Sequence, residues 1–177
     1  MRAWLRYAAL TLGVAVITHL GVVHAMPKVM MGAAIARLSG SGFNIWRAAD
    51  RVTPMSRTIV RPSPDFAYFA CAYDLRSGPV RLHAAPWRDY WSLSLYADNS
   101  DNFFVIDDRE ARNGATLTLI RAGRTPPEDV AGIVESPSTR GVALIRRLAP
   151  TPALHAAANE AGRADVCAPL AALDLAP

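Results

Sequence analysis

A chain of 177 residues is long enough to bury the core of one domain and too short to hold several. Hydrophobic residues account for 51% of the chain and charged residues for 19%, a composition that excludes an intrinsically disordered protein. The net charge of +4 comes from 19 basic and 15 acidic residues without any basic run, which argues against a nucleic-acid-binding protein.

The N-terminal segment predicts a membrane anchor. Arg2 and Arg6 begin a stretch in which Leu5 to Ala25 is apolar almost throughout, and the first acidic residue is Asp50. Its 21 residues match the roughly 20 that cross a bilayer, whereas the apolar part of a signal peptide has about 7–15. The length therefore favours an uncleaved, single-pass helix in a bacterial inner membrane, in contact with lipid through residues 5–25.

A signal peptide cleaved after Ala25 is the alternative to this anchor. Either interpretation exports the rest of the chain to the periplasm. Arg2 and Arg6 favour a cytoplasmic N-terminus, and Lys28 and Arg37 on the other side of the apolar segment weaken this preference. Met26 to Ala36 continues the helical pattern until Ser39–Gly42, whose two glycines end it. The sequence thus predicts an anchor and juxtamembrane helix over 1–42 and one exported β-rich domain over 43–177.

From Arg57 onward the pattern is typical of short β-strands. In Phe66–Tyr73 both the odd-numbered and the even-numbered positions are apolar, so both faces of that strand are expected to be buried. Tyr90–Ala97 alternates between apolar and polar residues, which indicates a strand with one buried face. The further strand candidates are 58–60, 80–84, 103–106, 116–119, 133–134 and 142–145. The predicted fold class is all-β, an antiparallel sandwich or barrel from Arg57 to Leu148.

One short helix is expected after the strands, from Ala153 to Ala164. Thr151 is a suitable N-cap for this helix, and Pro152 suits its first position. The apolar tail from Val166 is expected to lie against the sheet.

The chain has two cysteines, Cys71 and Cys167. In an oxidising compartment the two could form a disulfide. The favoured interpretation is that Cys71 is a small core residue, because it lies inside the apolar run Phe66–Tyr73. The absence of a C-x-x-C motif excludes a thioredoxin-like redox site.

Several segments, in their order and spacing, resemble a bacterial family catalogued as domain of unknown function 1254. They are Arg61–Tyr68, Asp74–Pro79, Tyr90–Tyr96 and Asn102–Arg109, followed by the stretch 136–146. The resemblance implies a β-rich fold. It also implies a companion, since members often precede a second domain on the same chain or on a neighbouring one, and this chain resembles the small, membrane-anchored members that lack it. The resemblance implies no particular reaction.

Polar residues around the start of the first long strand are the candidate site. Arg61 and Asp65 flank two prolines, and they could form an ion pair that fixes the turn or could bind a ligand. Tyr68 and Asp98 complete the candidate ligand-binding set. The residues predict no catalytic group, no metal site and no cofactor.

Two functions compete at this level. The favoured one is a membrane-anchored, periplasm-facing β-domain that binds or assembles with a separately encoded companion protein, with Trp46, Trp87 and Trp91 as candidate contacts. The alternative is an envelope enzyme or small-ligand binder with a polar site near Arg61, Asp65 and Tyr68.

Overall fold

The computed structural model of the protein describes residues 2–56, 61–128, 130 and 132–173. Within these ranges the chain forms three α-helices, nine strands and two short 3-10 segments. The helices are α1 (Arg2–Leu38), α2 (Pro152–Ala161) and α3 (Leu170–Leu173). The strands are β1 (Arg47–Ala48), β2 (Phe66–Asp74), β3 (Val80–Ala84), β4 (Trp91–Ala97), β5 (Asn102–Asp107), β6 (Ala115–Arg121), β7 (Ile133–Ser136), β8 (Arg140–Leu148) and β9 (Val166–Pro169).

The strands form two sheets. Sheet A has the order β1-β2-β8-β4-β5, and sheet B has the order β7-β6-β3-β9. Neighbouring strands are antiparallel except β6 and β7, which run parallel. The β-rich fold expected from the alternating pattern is confirmed, and of the sandwich and the barrel that the pattern left open, the structure has two separate sheets. The all-β class describes only the part after α1, because 33% of the chain is helical. The strand expected at 58–60 lies outside the described residues.

One apolar core lies between the two sheets. The alternating residues of β2 and β4 point into it from sheet A, and Leu82, Leu117 and Leu119 meet them from sheet B. Trp91 has no exposed surface, so the prediction that it is an exposed contact is wrong: its position in the alternation of β4 places it with Leu93 and Leu95. Trp46 and Trp87 are partly buried against the same core.

A disulfide links the two sheets. It joins Cys71 of β2 to Cys167 of β9, which are 96 residues apart in sequence. Both cysteines belong to the core cluster, so the core position that the sequence indicated for Cys71 and the pairing with Cys167 occur together. β9 is also the tail that was expected to lie against the sheet, and it pairs with β3.

Helix α1 runs without a break from the N-terminal apolar segment onto the outer face of sheet A. Residues 4–30 are exposed. Met31 and Ile35, one helical turn apart, pack instead against Ala72 of β2 and Val142 of β8. The Ser100 hydroxyl, in the β4–β5 turn, donates to the Pro27 carbonyl at 2.8 Å. The last turns of the helix are therefore part of the folded domain.

The C-terminal helix begins as its sequence indicates. Thr151 is the N-cap, and its hydroxyl accepts a hydrogen bond from the Leu154 N–H at 3.2 Å. The α-helix ends at Ala161, where Gly162 allows the backbone to approach Phe69, and the 3-10 segment Gly162–Ala164 follows.

Candidate functional site

The four residues of the predicted ligand site do not meet. Tyr68 of β2 pairs with Arg146 of β8, and Arg146 pairs with Ser92 at the start of β4. Asp98 follows the other end of β4, six residues beyond Ser92, which places it about 20 Å along the strand. The sequence pattern could not reveal this separation, because it depends on the parallel course of β2 and β4 on either side of β8.

Arg61 and Asp65 form no ion pair in the described structure, and both are exposed. Polar contacts within the loop replace it. The Ser63 N–H donates to the Tyr68 hydroxyl at 2.9 Å, and the Ala149 N–H donates to the Asp65 carbonyl at 2.7 Å. The turn is held by these hydrogen bonds, so the two charges are free to remain in solvent.

A charged cluster occupies the opposite end of β2, centred on Asp74. Its side chain is 8% exposed and accepts hydrogen bonds from Arg76 Nε at 3.1 and 2.9 Å and from Arg140 Nε at 2.9 Å. Asn44 holds the backbone of Asp74 from both directions: its side-chain oxygen accepts from the Asp74 N–H, and its amide donates to the Asp74 carbonyl. This cluster fastens the segment after α1 to sheet A.

Opposing influences act on the pKa of Asp74. Burial raises it, but hydrogen bonds from the Arg76 side chain and backbone, together with the hydrogen bond and charge of Arg140, outweigh burial and hold the pKa below its ordinary value. Asp74 is therefore ionised at neutral pH, and it offsets one of the two positive charges beside it.

A cleft of about 1010 Å³ opens next to this cluster, between the β2–β3 turn and the segment after β6. Leu75 and Ile120 are its buried apolar residues, with 7% and 1% of their surfaces exposed. Two turns border the cleft, and Gly78 (φ +127°) and Gly123 (φ +77°) adopt backbone conformations there that side chains disfavour. The remaining lining residues are Arg76, Ser77, Pro79, Arg121, Arg124, Thr125 and Thr139.

The lining of the cleft is basic. It contains three arginines and no aspartate or glutamate. Arg76 shares Asp74 with Arg140, whereas Arg121 and Arg124 make no ion pair with any residue that the structure describes. The cleft therefore presents unneutralised guanidinium groups, which bind planar oxyanions in two-point geometry.

A second ion pair is entirely buried and lies outside the cleft. Arg147 of β8 donates to both carboxylate oxygens of Asp165, at 2.8 and 2.6 Å, and neither side chain has exposed surface. Arg147 also donates to the Ala85 carbonyl, and Asp165 accepts from the Ala85 N–H. The pair joins sheet A to the chain before β9, and its contacts are those of a structural element.

Sequence reasoning missed the cleft and the buried pair. Arg76 lies 45 residues before Arg121, and Arg147 lies 18 residues before Asp165. The glycines and prolines around the two turns signalled only that turns were there. No local pattern indicates which turns meet, so strand pairing alone brings these residues together.

Comparison with known proteins finds a sequence family that matches this chain and solved structures that resemble its fold. Residues 43–169 match the model of a family described as protein of unknown function (DUF1254). The crystal structure of the VPA0106 protein from Vibrio parahaemolyticus is similar, with a TM-score of 0.59 and 14% identity over 86% of this chain. A protein from Burkholderia cenocepacia matches 64% of this chain at 16% identity, with a TM-score of 0.47.

The chain spans only 39% of the length of the Vibrio protein and 34% of the length of the Burkholderia protein. Among curated proteins, none matches this sequence significantly. At these identities, the likeness to the Vibrio protein establishes the fold alone.

Proposed function

This chain belongs to the DUF1254 family of proteins of unknown function, and on that premise we propose that it is a membrane-anchored binding module. Its exported β-domain binds a separately encoded companion protein at the periplasmic side of a bacterial inner membrane. The main support for this proposal is the continuity of α1: one helix contains both a long exposed apolar segment and the residues that pack on sheet A.

The exposed part of α1 has the properties of a membrane-spanning helix. It is long and apolar enough to cross a bilayer, it lies near the N-terminus, and none of its apolar stretch is buried in the protein. A soluble domain would gain nothing by leaving such a surface in water. Arg2 and Arg6 at its start favour a cytoplasmic N-terminus, which directs the β-domain to the periplasm.

The disulfide supports the same compartment. Disulfides persist in the oxidising periplasm and are rare in the reducing cytosol. The Cys71–Cys167 bond closes a loop between the two sheets, and it is therefore expected to form after export.

The companion is proposed from the family resemblance and from the greater length of the Vibrio relative. The Vibrio relative carries more than half of its length beyond the part that this chain matches. A separate protein that supplies such a region would need a surface to bind. Val105 on the edge strand β5 and Ile133 on the edge strand β7 are 55% and 43% exposed and are candidate contacts. The alternative ligand site at Arg61, Asp65 and Tyr68 gains no support from these contacts.

The anchor is tested by fractionation and N-terminal sequencing of the full chain. We expect it to stay in carbonate-washed membranes with its N-terminal segment attached. Val16→Arg together with Leu20→Arg should release it, since each central arginine costs insertion about 2.5–3.5 kcal/mol, whereas Arg112→Ala should not. A mature chain beginning at Met26 would contradict the anchor.

The companion is tested by co-purification in mild detergent with a co-expressed protein encoded beside this one. Val105→Asp should reduce the yield of the companion, and Arg112→Ala, an exposed change elsewhere, should not. Equal recovery with both variants would contradict a β5 contact, and no recovery with the wild type would contradict the companion itself.

A further inference from the structure

The cleft beside Asp74 combines three features of a ligand site. Its volume of about 1010 Å³ is at the upper end of the range found for small-molecule sites. Its inner surface includes the apolar Leu75 and Ile120, and its rim carries Arg76, Arg121 and Arg124. A free monatomic ion would leave most of this space unfilled.

The charges at the rim have no protein partner sufficient to neutralise them. Asp74 lies between Arg76 and Arg140 and offsets one charge of that pair. Arg121 and Arg124, three residues apart at the end of β6, add two further charges without a carboxylate in the described part of the chain. A ligand that supplies two negative charges at one point would satisfy them.

Hydroxyl groups accompany these arginines. Ser77, Thr125 and Thr139 line the cleft, and their side chains make no hydrogen bond in the described structure. Ser77 and Thr139 come from the Asp74 side of the cleft, and Thr125 comes from the side of Arg124. Donors are thus available on both sides of a bound oxyanion.

We propose that this cleft binds the phosphate group of a phosphorylated organic molecule. Guanidinium forks match the geometry of phosphate oxygens, and three of them suit a dianionic phosphate better than a monoanionic carboxylate. Pro79, which is partly exposed, and the exposed edge of Leu75 would contact the less polar body of the same molecule. The proposal depends on neither the anchor nor the companion protein.

The test uses the full chain in an uncharged detergent, with inorganic pyrophosphate as the probe in isothermal titration calorimetry. We expect the wild type to bind the probe, and Arg121→Ala with Arg124→Ala to weaken binding about tenfold or more, because each loses a charge-assisted hydrogen bond. Arg121→Lys with Arg124→Lys should give an intermediate loss, since charge is kept without the fork.

The matched control is Arg109→Ala with Arg112→Ala. These arginines have the same spacing and exposure, lack ion pairs in the described chain, and lie at the opposite end of β6. Equal weakening by the two alanine pairs would overturn the proposal in favour of general charge attraction. Absence of pyrophosphate binding, or equally tight binding of succinate, would also overturn it.

A second arm distinguishes a lipid headgroup from a soluble phosphate compound. The full chain is placed in phosphatidylcholine nanodiscs that contain either phosphatidic acid, whose headgroup is a phosphate monoester, or phosphatidylglycerol, whose phosphate is a singly charged diester. If the cleft takes a headgroup, phosphatidic acid should weaken pyrophosphate binding by the wild type more than phosphatidylglycerol does. If the natural ligand is soluble, both disc types should give the same wild-type affinity. Either result supports a phosphate site, provided that binding requires Arg121 and Arg124.

Discussion

Two buried carboxylates of this domain, Asp74 and Asp165, are each held by arginine. Asp165 meets Arg147 alone, in a two-point pair with no exposed surface. Asp74 meets Arg76 and Arg140, whose own side chains remain partly in solvent. A buried carboxylate left without its cation would retain the full cost of desolvation, so the two clusters should respond strongly to single substitutions.

Removing one member of the Arg147–Asp165 pair should destabilise the fold by about 3–5 kcal/mol, because the other charge is left buried and unpaired. Arg147→Met with Asp165→Leu should cost less than the sum of the two single changes, since neither charge then remains. Chemical denaturation of the full chain in detergent measures both effects.

The exposed pair of Arg163 with Glu160 is the control, and Arg163→Ala should have little effect on the free energy of unfolding. Additive losses at the buried pair would contradict this interpretation.

Asp74 should make stability depend on pH in a defined window. Its pKa is lower in the folded protein than in the unfolded chain, so its contribution is present above the unfolded value of about 3.9 and is lost as pH falls through the folded value. Asp74→Asn should therefore reduce the free energy of unfolding at pH 7, by about 1–3 kcal/mol. The difference from the wild type should shrink below about pH 4.

Unfolding measured between pH 2.5 and 7 checks this expectation. Asp50→Asn is the control, because Asp50 is exposed and has no ion pair in the described residues. If the free energies of unfolding of the wild type and Asp74→Asn differ by the same amount at every pH, the negative charge of Asp74 does not contribute to stability, and the expectation is contradicted.

At the scale of elements, α1 has two different surroundings along its length. Residues 4–30 are exposed, and this part of the helix is long and apolar enough to cross a membrane. Met31 and Ile35 bury one stripe against sheet A with Ala34 partly buried beside them, while Gly32 and Ala33 are exposed. Because the helix does not end between these parts, an anchored domain would be held at a set orientation rather than on a free linker.

Ile35→Asp should detach the last turns of α1 from sheet A without removing the protein from the membrane. The change places a carboxylate in the apolar cluster formed with Ala72 and Val142, where its burial is costly. Limited proteolysis should then cut faster between residues 36 and 46. Ala36→Asp, on the exposed side of the same turn, is the matched control and should leave the cleavage rate unchanged. Unaltered cleavage of Ile35→Asp would contradict the packing of α1 on the sheet.

At the scale of the whole molecule, the disulfide connects parts that the chain order keeps far apart. It closes a loop of 96 residues between the first long strand of sheet A and an edge strand of sheet B. Cross-links that close long loops restrict the unfolded chain most strongly in the entropic account of disulfide stabilisation.

Replacing both Cys71 and Cys167 by alanine should lower the free energy of unfolding by about 2–5 kcal/mol. Thermal melts of the full chain with and without dithiothreitol check this, since the reductant should lower the melting temperature of the wild type and leave the double variant unchanged. Mass spectrometry of the full chain, alkylated without reduction as it is isolated from cells, should find the two cysteines joined. Free thiols there would contradict the pairing.

Local patterns in the sequence were sufficient for the apolar helix, for the alternating strand β4 and for the capped start of α2 at Thr151. Each of these depends on neighbours within a few residues, and periodicity or capping chemistry decides it. The family resemblance likewise followed from short segments in a given order. The same local reasoning paired Arg61 with Asp65, which the structure leaves apart as exposed charges.

Only the tertiary structure decided which distant residues meet. The order of strands in sheet A places Asp98 at the end of the sheet away from Tyr68, and the pairing of β3 with β6 brings Arg121 and Arg124 to the turn that carries Arg76. The Arg147–Asp165 pair and the disulfide also join segments from different parts of the chain. Such contacts arise when two sheets bury a shared core, and the free energy of that packing is a property of the whole chain that no short segment contains.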